Sequence, residues 1–165
     1  YETPMFMNFE KNIMEKQGFG EYTPIDPSNL PNLYIAFHHN LSEGTEVLHN
    51  NLRARFTIGE KAVLDAMEEW AGLTVQFKEA IELKDNNRMA KLINRNFDLR
   101  RSLVAIEPGN IKMVELARSV GASAKFTGSG GAIIGTYTDD AMYDTLETTF
   151  KRHGIEIIKP QIVVS

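Results

Sequence analysis

The order of elements readable along this chain predicts an α+β fold: an antiparallel sheet covered by helices on one face, in a split βαβ arrangement. Three observations carry that expectation. A strand-like run at 33–38 precedes a long stretch of helical periodicity. Two apolar strands then flank a bare Gly-Ser-Gly-Gly run at 128–131. A capped helix and a last apolar strand follow.

At 165 residues the chain fits one domain, with enough length to bury a core without staples. It contains no cysteine, which excludes disulfides and thiolate metal sites and agrees with a reducing compartment. A net charge of −4, from 18 basic and 22 acidic residues, argues against nucleic acid as a partner, because counterion displacement needs surplus Lys and Arg. No apolar run has the length of a membrane span and no signal-peptide pattern opens the chain. A soluble, cytoplasmic protein is expected.

Met5 to Phe9 is short and apolar and reads as a buried strand, and Gly18 to Pro31 collects glycines and prolines and reads as a loop. Leu33 to His38 is the first well-marked strand. His38 and His39 are adjacent on it and so point to opposite faces, which argues against a shared metal ion. From Thr45 to Val120 the pattern is helical. Thr57-Ile58-Gly59-Glu60 has the form of a capping box before a helix whose core stripe is Val63, Met67, Trp70, Leu73/Thr74, Phe77 and Ile81. A second helix carries Met89, Leu92/Ile93, Phe97 and Leu103/Val104, and a third carries Ile111, Val114, Ala117 and Val120 up to Gly121. Beyond the glycine run, Ala132 to Tyr137 is a strand. Thr138-Asp139-Asp140 caps a helix with Met142, Leu146, Phe150 and His153 on one face, ended by Gly154. Ile155–Ile158 and Gln161–Val164 form a final strand. Pro160 confines it to an edge or a bulge. The whole order is ferredoxin-like.

The glycine run is the chemically informative part. A backbone without side chains can approach a phosphate and aim several N–H groups at it, although the same residues also make an ordinary hairpin connection. It is not a Walker A loop, because no Gly-Lys-Ser/Thr follows. Nor is it a dinucleotide fingerprint, because a strand follows it where a helix N-terminus would be needed.

Lys125-Phe126-Thr127-Gly128-Ser129-Gly130-Gly131, followed by an apolar strand, resembles the third sequence motif of the GHMP kinases, the superfamily of galactokinase, homoserine kinase and mevalonate kinase. Gly18-Phe19-Gly20-Glu21-Tyr22-Thr23-Pro24-Ile25-Asp26, Leu30-Pro31, His49 with Arg53 and Arg55, Asn96-Phe97-Asp98-Leu99-Arg100-Arg101 and Met113-Val114-Glu115-Leu116-Ala117-Arg118 are similar, in one collinear order, to the plant-type glucuronokinases. Glu2-Thr3-Pro4 and the segment from Asn40 to Glu46 depart from that pattern. The Pro-x-x-x-Gly-Leu-Gly-Ser-Ser-Ala loop and catalytic carboxylate of the superfamily are absent from these residues.

The resemblance implies residues 1–165 as a single C-terminal domain whose partner is a missing N-terminal kinase domain. The intact enzyme would move the γ-phosphoryl of ATP, with Mg²⁺, to a sugar or sugar acid, glucuronate above all. Thr127, Gly128, Ser129, Gly130 and Gly131 would contact phosphate or nucleotide. Lys125, Arg100, Arg101 and His49 would bind substrate, with Arg suited to a carboxylate. Neighbours on a helix diverge by about 100°, so one of Arg100 and Arg101 would face the ligand and the other would pair with Asp98 or Glu107. No catalytic residue or metal ligand is expected in this half, no cofactor is expected to bind it tightly, and alone it would be inactive. The competing expectation is a stand-alone ferredoxin-like module that binds a ligand or partner without catalysis.

Overall fold

A computed structural model describes residues 3–41 and 52–162. In chain order its elements are β1 (Met5–Asn8), α1 (Lys11–Gln17), β2 (Glu21–Pro24), β3 (Leu33–Phe37), α2 (residues 52–57), α3 (Lys61–Glu82), α4 (Asn86–Leu103), α5 (Pro108–Ser119), β4 (Lys125–Phe126), β5 (Ala132–Thr136), α6 (Asp140–Lys151) and β6 (Glu156–Ile158). The main sheet runs β4-β5-β3-β6 with every pair antiparallel, so β5 lies between β3 and β4. That is the split βαβ order, with β6 on an edge and Pro160 just beyond it.

Strand alternation divides this sheet into two faces. Tyr34, Ala36, Phe126 and Ile133 turn to one side, where they meet Phe97 of α4, Met113, Val114 and Ala117 of α5 and Leu146 and Phe150 of α6 in one buried cluster. Burying such side chains stabilises by roughly 1.5–3 kcal/mol each. Cross-strand pairs Ile35–Ile134 and Lys125–Ile134 lie on the other side, and there Leu33, Ile35, Phe37 and Ile134 are only half-buried.

Two polar devices lock the covered face. The Tyr34 hydroxyl donates to Ser123 O at 2.7 Å, and Ser123 Oγ lies 2.7 Å from Thr136 Oγ1 while accepting the Thr136 N–H at 2.8 Å. Gly135 makes room for this close approach, since a Cβ there would stand 1.7 Å from Ser123 O. Burial raises the Tyr34 phenol above its ordinary pKa, keeping it a donor. Arg118 joins α5 to α4 by donating to Asp98 at 2.6 Å, to Asn94 Oδ1 at 3.1 Å and to Asn94 O at 2.9 Å. The same Asn94 Oδ1 accepts the Ala124 N–H at 3.0 Å, which ties the start of β4 to this helix pair.

Several details differ from the sequence reading. The presumed loop 18–31 contains β2, which pairs with β1 in a separate two-stranded sheet. β1 is half-exposed instead of buried, with Met7 45% accessible. Thr57 and Glu60 form no capping box. The Thr57 hydroxyl donates to Arg53 O, and Glu60, the residue before α3, is held by the Arg55 fork at 2.6 and 2.8 Å. That pairing lowers the Glu60 pKa. In α3 the buried positions are Val63, Ala66, Leu73, Ala80 and Ile81, whereas Met67 and Thr74 face outward. The helix packs antiparallel on α4, joined by Trp70 Nε1–H to Asn96 O and by the Arg95–Glu69 pair. α6 starts as expected, with Asp139 accepting the Met142 N–H at 2.9 Å, but it ends before His153. β6 stops at Ile158, Gln161 and Ile162 are not in a strand, and residues 163–164 of the expected final strand lie outside the described residues.

Candidate functional site

β4 and β5 form the hairpin that Thr127–Gly131 closes, and three side chains from outside the hairpin fix that bend or stand next to it. Arg100, in the last turn of α4, donates from Nη1 to Gly128 O at 2.6 Å and from Nη2 to Ser129 O at 2.7 Å. Its guanidinium carbon lies 4.8 Å from the centroid of the Phe126 ring, a cation–π contact that holds the fork level with the bend. Asn110, in the first turn of α5 and wholly buried, accepts the Gly131 N–H at 2.7 Å and donates to Leu41 O at 3.2 Å. Gly131 has φ +76°, a conformation that favours glycine, and its carbonyl accepts the His38 N–H at 2.9 Å, anchoring the bend to the end of β3.

These contacts consume the carbonyl side of the bend. Among the described residues, the amides of Gly128 and Gly130 meet no acceptor. Gly128 and Thr127 are exposed, Ser129 and Gly130 half-buried and Gly131 buried. A Cβ on Gly130 would stand 3.0 Å from Asn110 Nδ2, so a side chain there would crowd Asn110, where the sequence alone pointed to an incoming ligand.

Lys125 stands two residues before the bend, on the half-buried face of the sheet. Its ammonium donates to Phe126 O at 3.1 Å and pairs with no carboxylate among the described residues. Burial, and secondarily the Arg100 charge, push its pKa below the ordinary lysine range. The amine borders a cavity of about 320 Å³ between this face and the α3–α4 pair, with Leu33, Leu73, Phe77, Asn96 and Ile134 in its walls.

Of the other substrate-binding expectations, Arg101 reaches Glu115 at 3.4 Å across an exposed surface and does not join the bend. Asp98 and Glu107 take neither arginine of the pair: Asp98 serves Arg118, and Glu107 accepts the Asn110 N–H at the start of α5. His49 lies outside the described residues. Asn110 was missed in the sequence, where Pro108-Gly109-Asn110 reads as punctuation. The available signal was an amide side chain three residues into a helix, where an orphan N–H cluster faces whatever packs there.

The sheet order and the glycine bend between its second and third strands agree with the fold expected of the GHMP-type C-terminal domain that the sequence resembles. The family model described as GHMP kinases C terminal matches residues 77–152. Over that stretch, from the end of α3 to just past α6, the chain is similar to the C-terminal domain of the GHMP kinases. Two curated relatives from Arabidopsis thaliana are similar over 131 residues, 78% of this chain: "Probable glucuronokinase 2" at 43% identity and "Glucuronokinase 1" at 41%. The chain spans 36% of the length of each. Among solved structures, the L. major mevalonate kinase in complex with R-mevalonate has a TM-score of 0.74 at 19% identity, covering 90% of this chain and 48% of its own. The Lactococcus lactis galactokinase complexed with galactose has a TM-score of 0.62 at 14% identity, covering 87% and 48%. These likenesses establish the fold.

Proposed function

We propose that this chain works as the C-terminal half of an ATP-dependent kinase acting on a sugar acid, with glucuronate the first candidate, and that an N-terminal kinase domain supplies the remaining phosphate contacts and the catalytic base. The single observation that carries this reading is the Lys125 ammonium, desolvated, without a carboxylate partner among the described residues, and two residues from a bend whose Gly128 and Gly130 amides meet no acceptor. A cation in that state favours an arriving anion, and consecutive backbone amides favour the same charge. The 41–43% identity to glucuronokinases supports a carbohydrate acid as substrate.

ATP fits this wall of the cleft as a polyanion, with Thr127 to Gly131 against phosphate and Lys125 toward the sugar carboxylate. Among the described residues no group of His, Asp and Glu is arranged to hold a metal ion, so in this reading Mg²⁺ arrives on the nucleotide, as it does where phosphates supply most of its ligands. Bound with the nucleotide, the ion would supply charge neutralisation at the transferring phosphoryl group, and Thr127 to Gly131 would position that group.

The test is phosphoryl transfer by the full-length protein offered ATP with glucuronate, galacturonate or glucose, read as ADP released. Turnover with a sugar acid at least about tenfold above glucose is expected, the scale of a charged hydrogen bond. Gly130→Val, which drives a side chain into Asn110, should abolish most of it. Preference for the neutral sugar would end the sugar-acid reading, and no turnover with any sugar would end the kinase reading.

A further inference from the structure

One guanidinium turns two successive peptide units of the glycine bend the same way. Arg100 takes the carbonyls of Gly128 and Ser129 with its two Nη atoms at 2.6 and 2.7 Å. In a planar trans peptide the carbonyl and the following N–H point in opposite directions. The amides of Ser129 and Gly130, which belong to those same two units, are therefore directed away from Arg100. Successive amides aimed to one side make a concavity suited to an anion.

Left alone, a bend of Gly, Ser, Gly and Gly has little reason to keep that polarity. Each of its peptide planes can flip at small steric cost, because glycine tolerates both signs of φ. Asn110 pins the far end through the Gly131 N–H at 2.7 Å, and β4 pins the near end through Thr127 N–H to Ala132 O at 3.2 Å. Between those pins Arg100 holds the carbonyls of Gly128 and Ser129. Lysine at this position would keep the charge but lacks the planar fork needed to hold both oxygens.

We propose that Arg100 is a positioning residue that sets the polarity of the glycine bend, presenting amides to the cleft and thereby making the bend a receptor for a pyrophosphate-like anion. The identification of that anion with the nucleotide rests on the kinase reading above; the polarity itself does not. Arg100 was first expected to touch substrate, whereas here it acts through the backbone of residues 128–130.

The experiment titrates inorganic pyrophosphate into the ¹⁵N-labelled chain and follows the amide signals of Ser129 and Gly130. In the wild type these should shift saturably. In Arg100→Gln and Arg100→Lys the apparent affinity should fall by roughly tenfold or more, the scale of lost charge-assisted hydrogen bonds, with Arg100→Lys retaining a wild-type melting temperature. If Arg100→Gln does not fold, Arg100→Lys decides alone. In the full-length protein Arg100→Lys should raise the KM for ATP and leave the KM for the sugar unchanged. Wild-type pyrophosphate affinity in a folded Arg100→Lys protein, or bend amides that ignore pyrophosphate in the wild type, would overturn the proposal. Bend amides that answer pyrophosphate in a protein without phosphoryl transfer would sink the kinase reading and leave Arg100's role standing.

Discussion

The two faces of the main sheet are built from alternate residues of the same strands, yet they have opposite characters. On the covered face Tyr34, Ala36 and Ile133 are fully buried beneath α5 and α6, and the polar groups there, Ser123 and Thr136, satisfy one another. On the other face Leu33, Ile35 and Ile134 are half-buried, and the charged group there, Lys125, has a backbone carbonyl for a partner. The covered face is closed in its packing and hydrogen bonding. The other is closed in neither, and it borders the bend that carries the outward amides. In the function proposed above, a shift of one residue along a strand thus separates the stabilising face from the one that meets the ligand.

Adjacent isoleucines in β5 offer the largest test of that contrast. Ile133 is 0% exposed within the main cluster, whereas Ile134 borders the cavity on the other face. Ile133→Ala should destabilise by about 2–5 kcal/mol, the range for emptying a well-packed site. Ile134→Ala should cost about 1 kcal/mol, since part of that side chain already meets water. Urea denaturation of both variants measures the difference, and equal losses would mean that the two faces are equally sealed.

Lys125→Met should act in the opposite direction. The thioether fills a similar space without a desolvated charge, so the variant should melt roughly 2–4 °C higher at neutral pH, the shift that about 1 kcal/mol gives in a chain of this size. Because the folded-state pKa of Lys125 is lowered, the unfolded chain holds its proton more tightly. Wild-type stability is therefore penalised at low and neutral pH, and the penalty is relieved as pH rises through the lowered pKa toward the ordinary lysine value. The gap between variant and wild type should narrow over that interval in a series of melts. A constant gap would assign the gain to packing. The same variant should weaken sugar-acid selectivity in the full-length protein, trading function for stability.

What the sequence disclosed follows the same division. Helices α3 to α6 were legible because apolar residues recur at helical spacing toward one core, and the hairpin was legible because bare glycines interrupt two apolar runs. β2 was not, since all of Glu21–Pro24 is exposed and offers no alternation to detect. The bend could be located, but its orientation could not. Arg100 stands 28 residues before Gly128 and Asn110 21 residues before Gly131, and side chains at such separations reveal their partners only when the fold brings them together. The Arg100-Arg101 pair shows the limit most plainly, because helical geometry gives their divergence but not which of them meets the bend.

Arg101 supplies the smallest and sharpest contrast with that neighbour. It sits on the outer side of α4, about half-exposed, with Glu115 at 3.4 Å. A single long contact between two mobile, solvated side chains gains little over water and costs side-chain entropy. Arg101→Ala should therefore change stability by less than about 0.5 kcal/mol and leave pyrophosphate binding at the bend as in the wild type. Raising the salt concentration toward 1 M should shrink even that difference, because the screening length there falls to about 3 Å, the scale of the contact itself. A loss of pyrophosphate affinity as large as that of Arg100→Lys would show that net positive charge at the end of α4 attracts the anion, and that the geometry of the fork does not. The pair of adjacent arginines thus separates an electrostatic origin of the site from a structural one, using two positions that differ by a single helical step.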